Sequence, residues 1–276
     1  MTCAKAVKCF GIDLGWSSGA SGLACITWHH GQIEGIELAH LLELDHIFSW
    51  IDERLEPGES AVVAVDAPTL IPNETGMRLC DRLAHRHFGK YHAGCYPANR
   101  GRPFAQRTLA VGLQLEQRGF IHRPHLPQPT PQGRYQLEVF PHAAMLHLFQ
   151  LNQILKYKKG RLAERRLELV RFRQLMLDIF PQLQPSFAHG VDWPTLLPPI
   201  PHKGRDMKAV EDQLDSLICA YTAVHWWYWG LERNWVLGDR TTGYIVVPTP
   251  FGPLDGTNPS MKDWSDRPRT DYAATP

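Results

Sequence analysis

The sequence predicts an α/β protein built on a mixed sheet, and three observations carry that expectation. First, residues 9–12 form a short apolar run that ends on Asp13 and passes through Gly15, Gly19 and Gly22 into a second one, Leu23-Ala-Cys-Ile-Thr-Trp28. Second, Ala61-Val-Val-Ala-Val is unbroken in its apolarity and ends on Asp66, as a parallel strand covered on both faces does. Third, the stretches after and between them carry apolar residues at helical spacing.

In chain order, Gly31-Gln32 is a turn into a third strand, 33–38, so the first three strands make an antiparallel meander. Leu44, Ile47, Phe48, Ile51 and Leu55 recur at helical spacing until Pro57-Gly58 stops them. The strand at 61–65 follows. From 69 to 134 the pattern loosens, with helical pieces at about 76–87 and 107–118, and reads as an insertion over the sheet. Gln136-Leu-Glu-Val-Phe140 is a further strand containing Glu138, ended by Pro141-His142. Helices are expected at 143–152, at 161–180 and at 208–232, with a proline-rich irregular stretch at 181–201. Trp235-Val-Leu237 and Tyr244-Ile-Val-Val247 make a hairpin. Residues 1–248 thus read as a single domain, and 249–276 as a loose tail of Pro, Gly, Asp and Ser.

The composition narrows the function classes. With 276 residues, 43% hydrophobic and 21% charged, the chain is long enough to bury a sizeable core. Its 29 basic residues nearly balance its 28 acidic ones, so any polyanion must be met by a local patch. No apolar run reaches membrane-spanning length, and the lysine-broken start is no signal peptide. The six cysteines are scattered without a Cys-x-x-Cys pair, which suits reduced thiols and a cytoplasmic location.

The acidic residues carry the chemistry. A carboxylate at the end of a buried strand is costly unless it meets a metal, a cation or good donors. Asp13 ends the first strand, Asp66 the parallel one, and Glu138 lies in the next. Asp212 and Asp215, at i and i+3, project from one face near the amino-terminal half of the last long helix. Short acidic residues on rigid elements bind hard divalent cations, Mg²⁺ or Mn²⁺, through oxygen. Two such ions roughly 3.5–4 Å apart activate a water and stabilise the leaving oxygen of a phosphodiester displacement.

Gly11-Ile-Asp13, Val65-Asp66-Ala-Pro68, Glu138-Val-Phe-Pro141 and Asp212-Gln-Leu-Asp215-Ser-Leu-Ile-Cys-Ala220 resemble, in this order, the motifs of an uncharacterised family of predicted ribonuclease H-like nucleases. The late Asp-x-x-Asp is also similar to the last acidic motif of RuvC-type Holliday-junction resolvases. The resemblance covers most of the chain from Phe10 to Pro248, and the order of three antiparallel strands, helix and parallel strand agrees with it, as it does equally with the actin-like ATPase fold. It implies a ribonuclease H-like fold, a metal-dependent nuclease acting on DNA or RNA, and Asp13, Asp66 and Asp215 as metal ligands. Asp212 and Glu138 would be further ligands or a general base. One departure stands out: resolvases usually carry Glu where this chain has Asp66, one methylene shorter.

Other readings stay open. Gly11-Ile-Asp13-Leu-Gly15-Trp-Ser17-Ser18 is also similar to the first phosphate loop of the actin and hexokinase superfamily of ATP-binding phosphotransferases. That superfamily needs a second Asp-x-Gly loop, and the chain has none. A nucleic-acid-binding module that keeps the fold without catalysis is a third class. Arg78, Arg82, Arg100 and Arg107 give the insertion positive charge for phosphates, and Tyr91, Tyr96 and Phe104 interleave with arginines as stacking surfaces. Cys80, His85, His87, His92 and Cys95 crowd one loop region, but their spacing fits no standard zinc pattern. Lys156-Tyr-Lys-Lys-Gly-Arg161 reads as a solvated helix face.

Overall fold

The first three strands, β1 (Val7–Asp13), β2 (Ser21–His29) and β3 (Gln32–Leu41), form the expected antiparallel meander in the computed structural model, which describes residues 6–129 and 132–249. After α1 (Leu44–Asp52), β4 (Ser60–Val65) lies parallel to β1, with Val7 opposite Ser60 and Ile12 opposite Val65. β6 (Arg134–Glu138) adds in parallel to β4. Two edge strands of two residues each, β5 (Ile121–His122) beside β6 and β7 (Ser186–Phe187) beside β3, were not expected. They are too short for a periodic signature. The seven-stranded sheet runs β5-β6-β4-β1-β2-β3-β7 and is mostly parallel.

Alternation along the strands sorts the core into two faces. Phe10 and Ile12 of β1, with Ala61, Val63 and Val65 of β4, meet Ile47, Phe48 and Ile51 of α1 and Val111 and Leu115 of α3 (Ala105–Gln117). Cys9, Val62 and Ala64 face the other way, against Leu214, Leu217 and Ile218 of α7 (Gly204–Trp229). The long helix thus starts before 208 and ends before 232. α4 (Pro141–Leu148) and α5 (Leu162–Ile179) share that face, with α6 (Trp193–Leu196) beyond them in the stretch read as irregular. α4 begins on Pro141 itself, because the first helical position needs no N–H. α2 (Leu79–Phe88) lies in the insertion, whose Cys80, Ala84, Val111, Leu115 and Phe120 are buried in both faces of the core.

The sheet admits α7 at two glycines. A Cβ on Gly11 would stand 1.9 Å from the Ser216 carbonyl oxygen, and one on Gly22 1.9 Å from that of Asp212. The helix backbone therefore rests directly on β1 and β2. Gly22 pairs with Asp13 in the strand register, so this contact brings Asp212 alongside Asp13.

The hairpin β8 (Asn234–Asp239) and β9 (Gly243–Pro248) forms as expected and joins the end of β6 through a bridge between Val139 and Val246. Trp226 is fully buried, its ring 5.4 Å from that of Tyr135. The expected tail beyond Thr249 lies outside the described residues. Among those residues no helix is long and apolar enough to cross a membrane, and Cys9, Cys25, Cys80, Cys95 and Cys219 are free thiols.

Candidate active site

Asp13 and Asp66 emerge side by side because their strands are parallel neighbours. Asp66 follows β4, its N–H bonded to the Ile12 carbonyl at 2.8 Å, and its own carbonyl accepts from Trp16 Nε1 at 3.0 Å. The 14–20 turn folds back over them. Ser21 Oγ accepts from Gly15 N at 3.0 Å, and Arg107 Nε donates to Gly15 O at 2.8 Å. A cavity of about 570 Å³ opens there, lined by Asp13, Asp66, Asp212, Lys158, Lys208 and His142 among others. Trp16, Tyr96 and Phe140 wall it, and the exposed Ser17 and Ser18 reach it from the turn.

The acidic groups are met by cations of the chain itself. Lys158 Nζ lies 2.7 Å from Asp215 Oδ2 and 3.8 Å from Asp13 Oδ2, and Tyr157 Oη donates to Asp215 Oδ1 at 2.6 Å. Lys208, one turn before Asp212 on the helix, pairs with Asp212 Oδ1, and His40 Nε2 lies 3.2 Å from Oδ2. No hydrogen-bond donor reaches Asp13 Oδ2. Burial drives the Asp13 carboxyl well above the usual carboxylate range, with Asp215, Asp66 and Asp212 adding to it and Lys158 opposing. Burial likewise pushes Asp66 up to about 7, against the pull of Lys158 and Lys208. Burial works against the charge of Lys158 too, but Asp215 and Asp13 outweigh it and hold the ammonium well above its ordinary value. His142 Nδ1 is buried without a partner, and burial with Lys158 nearby lowers the ring to about 4.

Glu138 and Arg78 belong to a neighbouring network. Arg78 Nη1 and Nη2 donate to the two Glu138 oxygens at 2.7 and 2.6 Å, and Nη2 also reaches Asp81 Oδ1 at 2.8 Å. Asp81 accepts as well from the N–H groups of Arg78 and Ala98. Arg78 is therefore not the exposed phosphate ligand expected from its arginine-rich surroundings, but a buried ion-pair partner at the cavity edge. Both Glu138 oxygens are committed to it, although burial still pushes the Glu138 carboxyl up to about 7.

The remaining arginines divide. Arg107 braces the 14–20 turn, while Arg82 bonds the Met77 carbonyl and Arg100 pairs with Glu74, both away from the cavity lining. Among the described residues no three of the His, Cys, Asp and Glu side chains stand together as an ion-holding group, which covers both the aspartates and the Cys80-to-Cys95 region. There His85 is turned to the Cys95 carbonyl and His87 to the Trp235 ring, 5.6 Å away.

Sequence reasoning missed Lys158, Tyr157 and His142. Residues 156–161 are a loop before α5, and while Lys156 and Lys159 are solvated as expected, Lys158 turns into the acids. No local pattern marks that inward turn. Lys208 was within reach of inspection, since its i,i+4 spacing to Asp212 is itself a pairing signal.

The chain belongs to the family described as "Protein of unknown function (DUF429)", which matches residues 11–235 and so spans every acidic residue named here. Neither a curated protein nor a solved structure matches it.

Proposed function

We propose that the chain is a ribonuclease H-like phosphodiesterase, in the manner of the RuvC-related nucleases, that hydrolyses nucleic-acid phosphodiester bonds at the Asp13–Asp66–Asp212–Asp215 cluster. The observation that carries the reading is Asp13 Oδ2, a buried carboxylate oxygen with no hydrogen-bond donor, beside a cavity that Asp66 and Asp212 also line, while the fully buried Asp215 is joined to it through Lys158. The donor set is all oxygen, which fits Mg²⁺ or Mn²⁺, although the side chains as they stand do not close into a shell of three. Bound there, such an ion would supply Lewis-acid activation of water and charge neutralisation at the leaving oxygen.

The chain's own residues would do the rest. Asp13 and Asp66, fixed on adjacent strand ends, would supply carboxylate oxygens to such a cation. Ser17 and Ser18 offer hydroxyl donors to phosphate oxygens at the mouth. Trp16, Tyr96 and Phe140 limit water and give nucleobases a surface on which to stack.

The test is Mg²⁺- or Mn²⁺-dependent cleavage of single-stranded, duplex, hybrid and junction nucleic acids, with Asp13→Asn beside the unaltered chain and folding followed by circular dichroism. Cleavage falling by at least about 100-fold in a folded variant is the expected result. Cleavage equal in both, or none of any substrate, removes the nuclease reading. A second reading, a nucleotide-binding phosphotransferase, is favoured by the exposed serines of the 14–20 turn. It predicts ATP binding that Ser17→Ala and Ser18→Ala weaken. Nucleic-acid binding unchanged by Asp13→Asn, without cleavage, would mark a non-catalytic module instead.

A further inference from the structure

We propose that Lys158 is the built-in cation of the acidic site, filling the place between Asp13 and Asp215 where a divalent ion would otherwise bridge two carboxylates. The inference rests on the carboxylate-site reading above and concerns how many ions that site accepts. Lys158 Nζ faces both Oδ2 atoms, at 2.7 Å from Asp215 and 3.8 Å from Asp13. Neither Asp13 Oδ2 nor Asp215 Oδ2 receives a hydrogen bond, so Lys158 meets both as a charge, and this ammonium is the one cation paired with Asp215 Oδ2 among the described residues. A hard divalent ion seeks the same two oxygens, at about 2.0–2.1 Å for Mg²⁺. An ammonium and a dication this close together repel strongly in a partly buried site. One must leave for the other to bind.

Lys158 is also held in place, unlike a surface lysine that happens to find a carboxylate. Tyr157, fully buried, donates to the other oxygen of Asp215 at 2.6 Å and stacks on Phe172 with ring centroids 5.1 Å apart. Arg165 Nε donates to the Tyr157 carbonyl at 3.0 Å, and its Nη2 reaches Glu211 on α7 at 2.8 Å. The loop is thus tied to both α5 and α7 on either side of the acids. Asp215 has one oxygen for Tyr157 and one for Lys158, so in this arrangement it positions the lysine. With Lys158 in place, four aspartates carry two lysines between them and the site accepts fewer divalent ions than its carboxylates would otherwise hold.

The experiment counts bound Mn²⁺ per chain by electron paramagnetic resonance, with Mn²⁺ affinity from isothermal titration calorimetry. It compares the unaltered chain with Lys158→Met, Lys158→Gln, Lys158→Arg and Lys158→Met/Asp13→Asn, each checked for folding. Lys158→Met and Lys158→Gln are expected to gain one Mn²⁺ per chain, or to bind the existing ion at least about tenfold more tightly. Lys158→Arg keeps the charge and should match the unaltered chain, and Asp13→Asn should abolish the gain. Two lysine variants guard against one failing to fold. If the unaltered chain binds Mn²⁺ and neither variant gains, the role of Lys158 is overturned and the metal reading stands. A gain in Lys158→Arg equal to that in Lys158→Met overturns it as well, since charge would not be the cause. If no form binds Mn²⁺, the metal reading fails and takes this inference with it.

Discussion

Replacing Arg78 with Met tests how the cavity edge is held together. The side chain is 3% exposed, and methionine fills similar volume without charge. Its removal takes two donors from Glu138, at 2.7 and 2.6 Å, and leaves no cation in their place. Asp81 is better protected, because the N–H groups of Arg78 and Ala98 still reach its Oδ2, each at 3.0 Å. Breaking a buried pair from one side costs about 3–5 kcal/mol. The cost should also depend on pH. Burial already pushes Glu138 up to about 7 with Arg78 present, so without Arg78 its carboxyl must titrate higher still. A carboxyl raised in the folded state binds more protons there than in the unfolded chain, so stability falls as pH rises toward the folded value. In the variant that fall continues past pH 7, where the unaltered chain has largely completed it. The difference between them should therefore grow by up to about 1.4 kcal/mol per pH unit above 7. Urea denaturation at pH 7 and 8.5, with m-values compared, reads both effects. Adding Glu138→Gln to the variant should remove the pH dependence. A loss under about 1 kcal/mol, or one that does not change with pH, would refute the account.

Two further predictions concern the frame of the site and its response to acid. Gly22→Ala would put a Cβ 1.9 Å from the Asp212 carbonyl oxygen, where ordinary contact begins near 3.4 Å. It should cost about 1–3 kcal/mol or more and shift α7 away from Asp13, so cleavage should fall more than an equally destabilising substitution elsewhere would cause. His122 and His225 are held by burial at about 4, with Tyr244 and Asn234 as partners. Their contribution is complete above their unfolded value near 6.5 and is lost as pH falls toward 4, by up to about 3 kcal/mol each. Urea midpoints at pH 7.5 and 4.5 should show a smaller acid loss in His122→Gln than in the unaltered chain.

Much of the architecture is legible in the chain because it rests on short-range patterns. The apolar run of β1 and the unbroken run of β4 reflect burial against two helical layers. The spacing of Ile47, Phe48 and Ile51 reflects one buried helix face. Asp13, Asp66 and the Asp212–Asp215 pair could be placed on their elements from sequence, since each sits at a recognisable strand end or helix turn. Gly22 was legible as a glycine but not in its purpose. It reads locally as part of a turn, whereas in the fold it clears the path for a helix backbone from a distant part of the chain.

What tertiary structure alone decided is the partnership of charges. Arg78 lies in an arginine-rich stretch that looks solvated, yet meets Glu138 inside the protein. Lys158 lies between two exposed lysines, yet reaches Asp215 and Asp13. Periodicity records which face of an element is buried, because each turn or pleat repeats the same environment. A single side chain leaving a loop repeats nothing, and its partner is set by where α7 and β1 place their carboxylates. The elements and their acidic residues therefore belong to the sequence, while the cation between those residues is assigned by the packing of α7 on Gly11 and Gly22 and by the ties of the loop before α5 to α5 and α7.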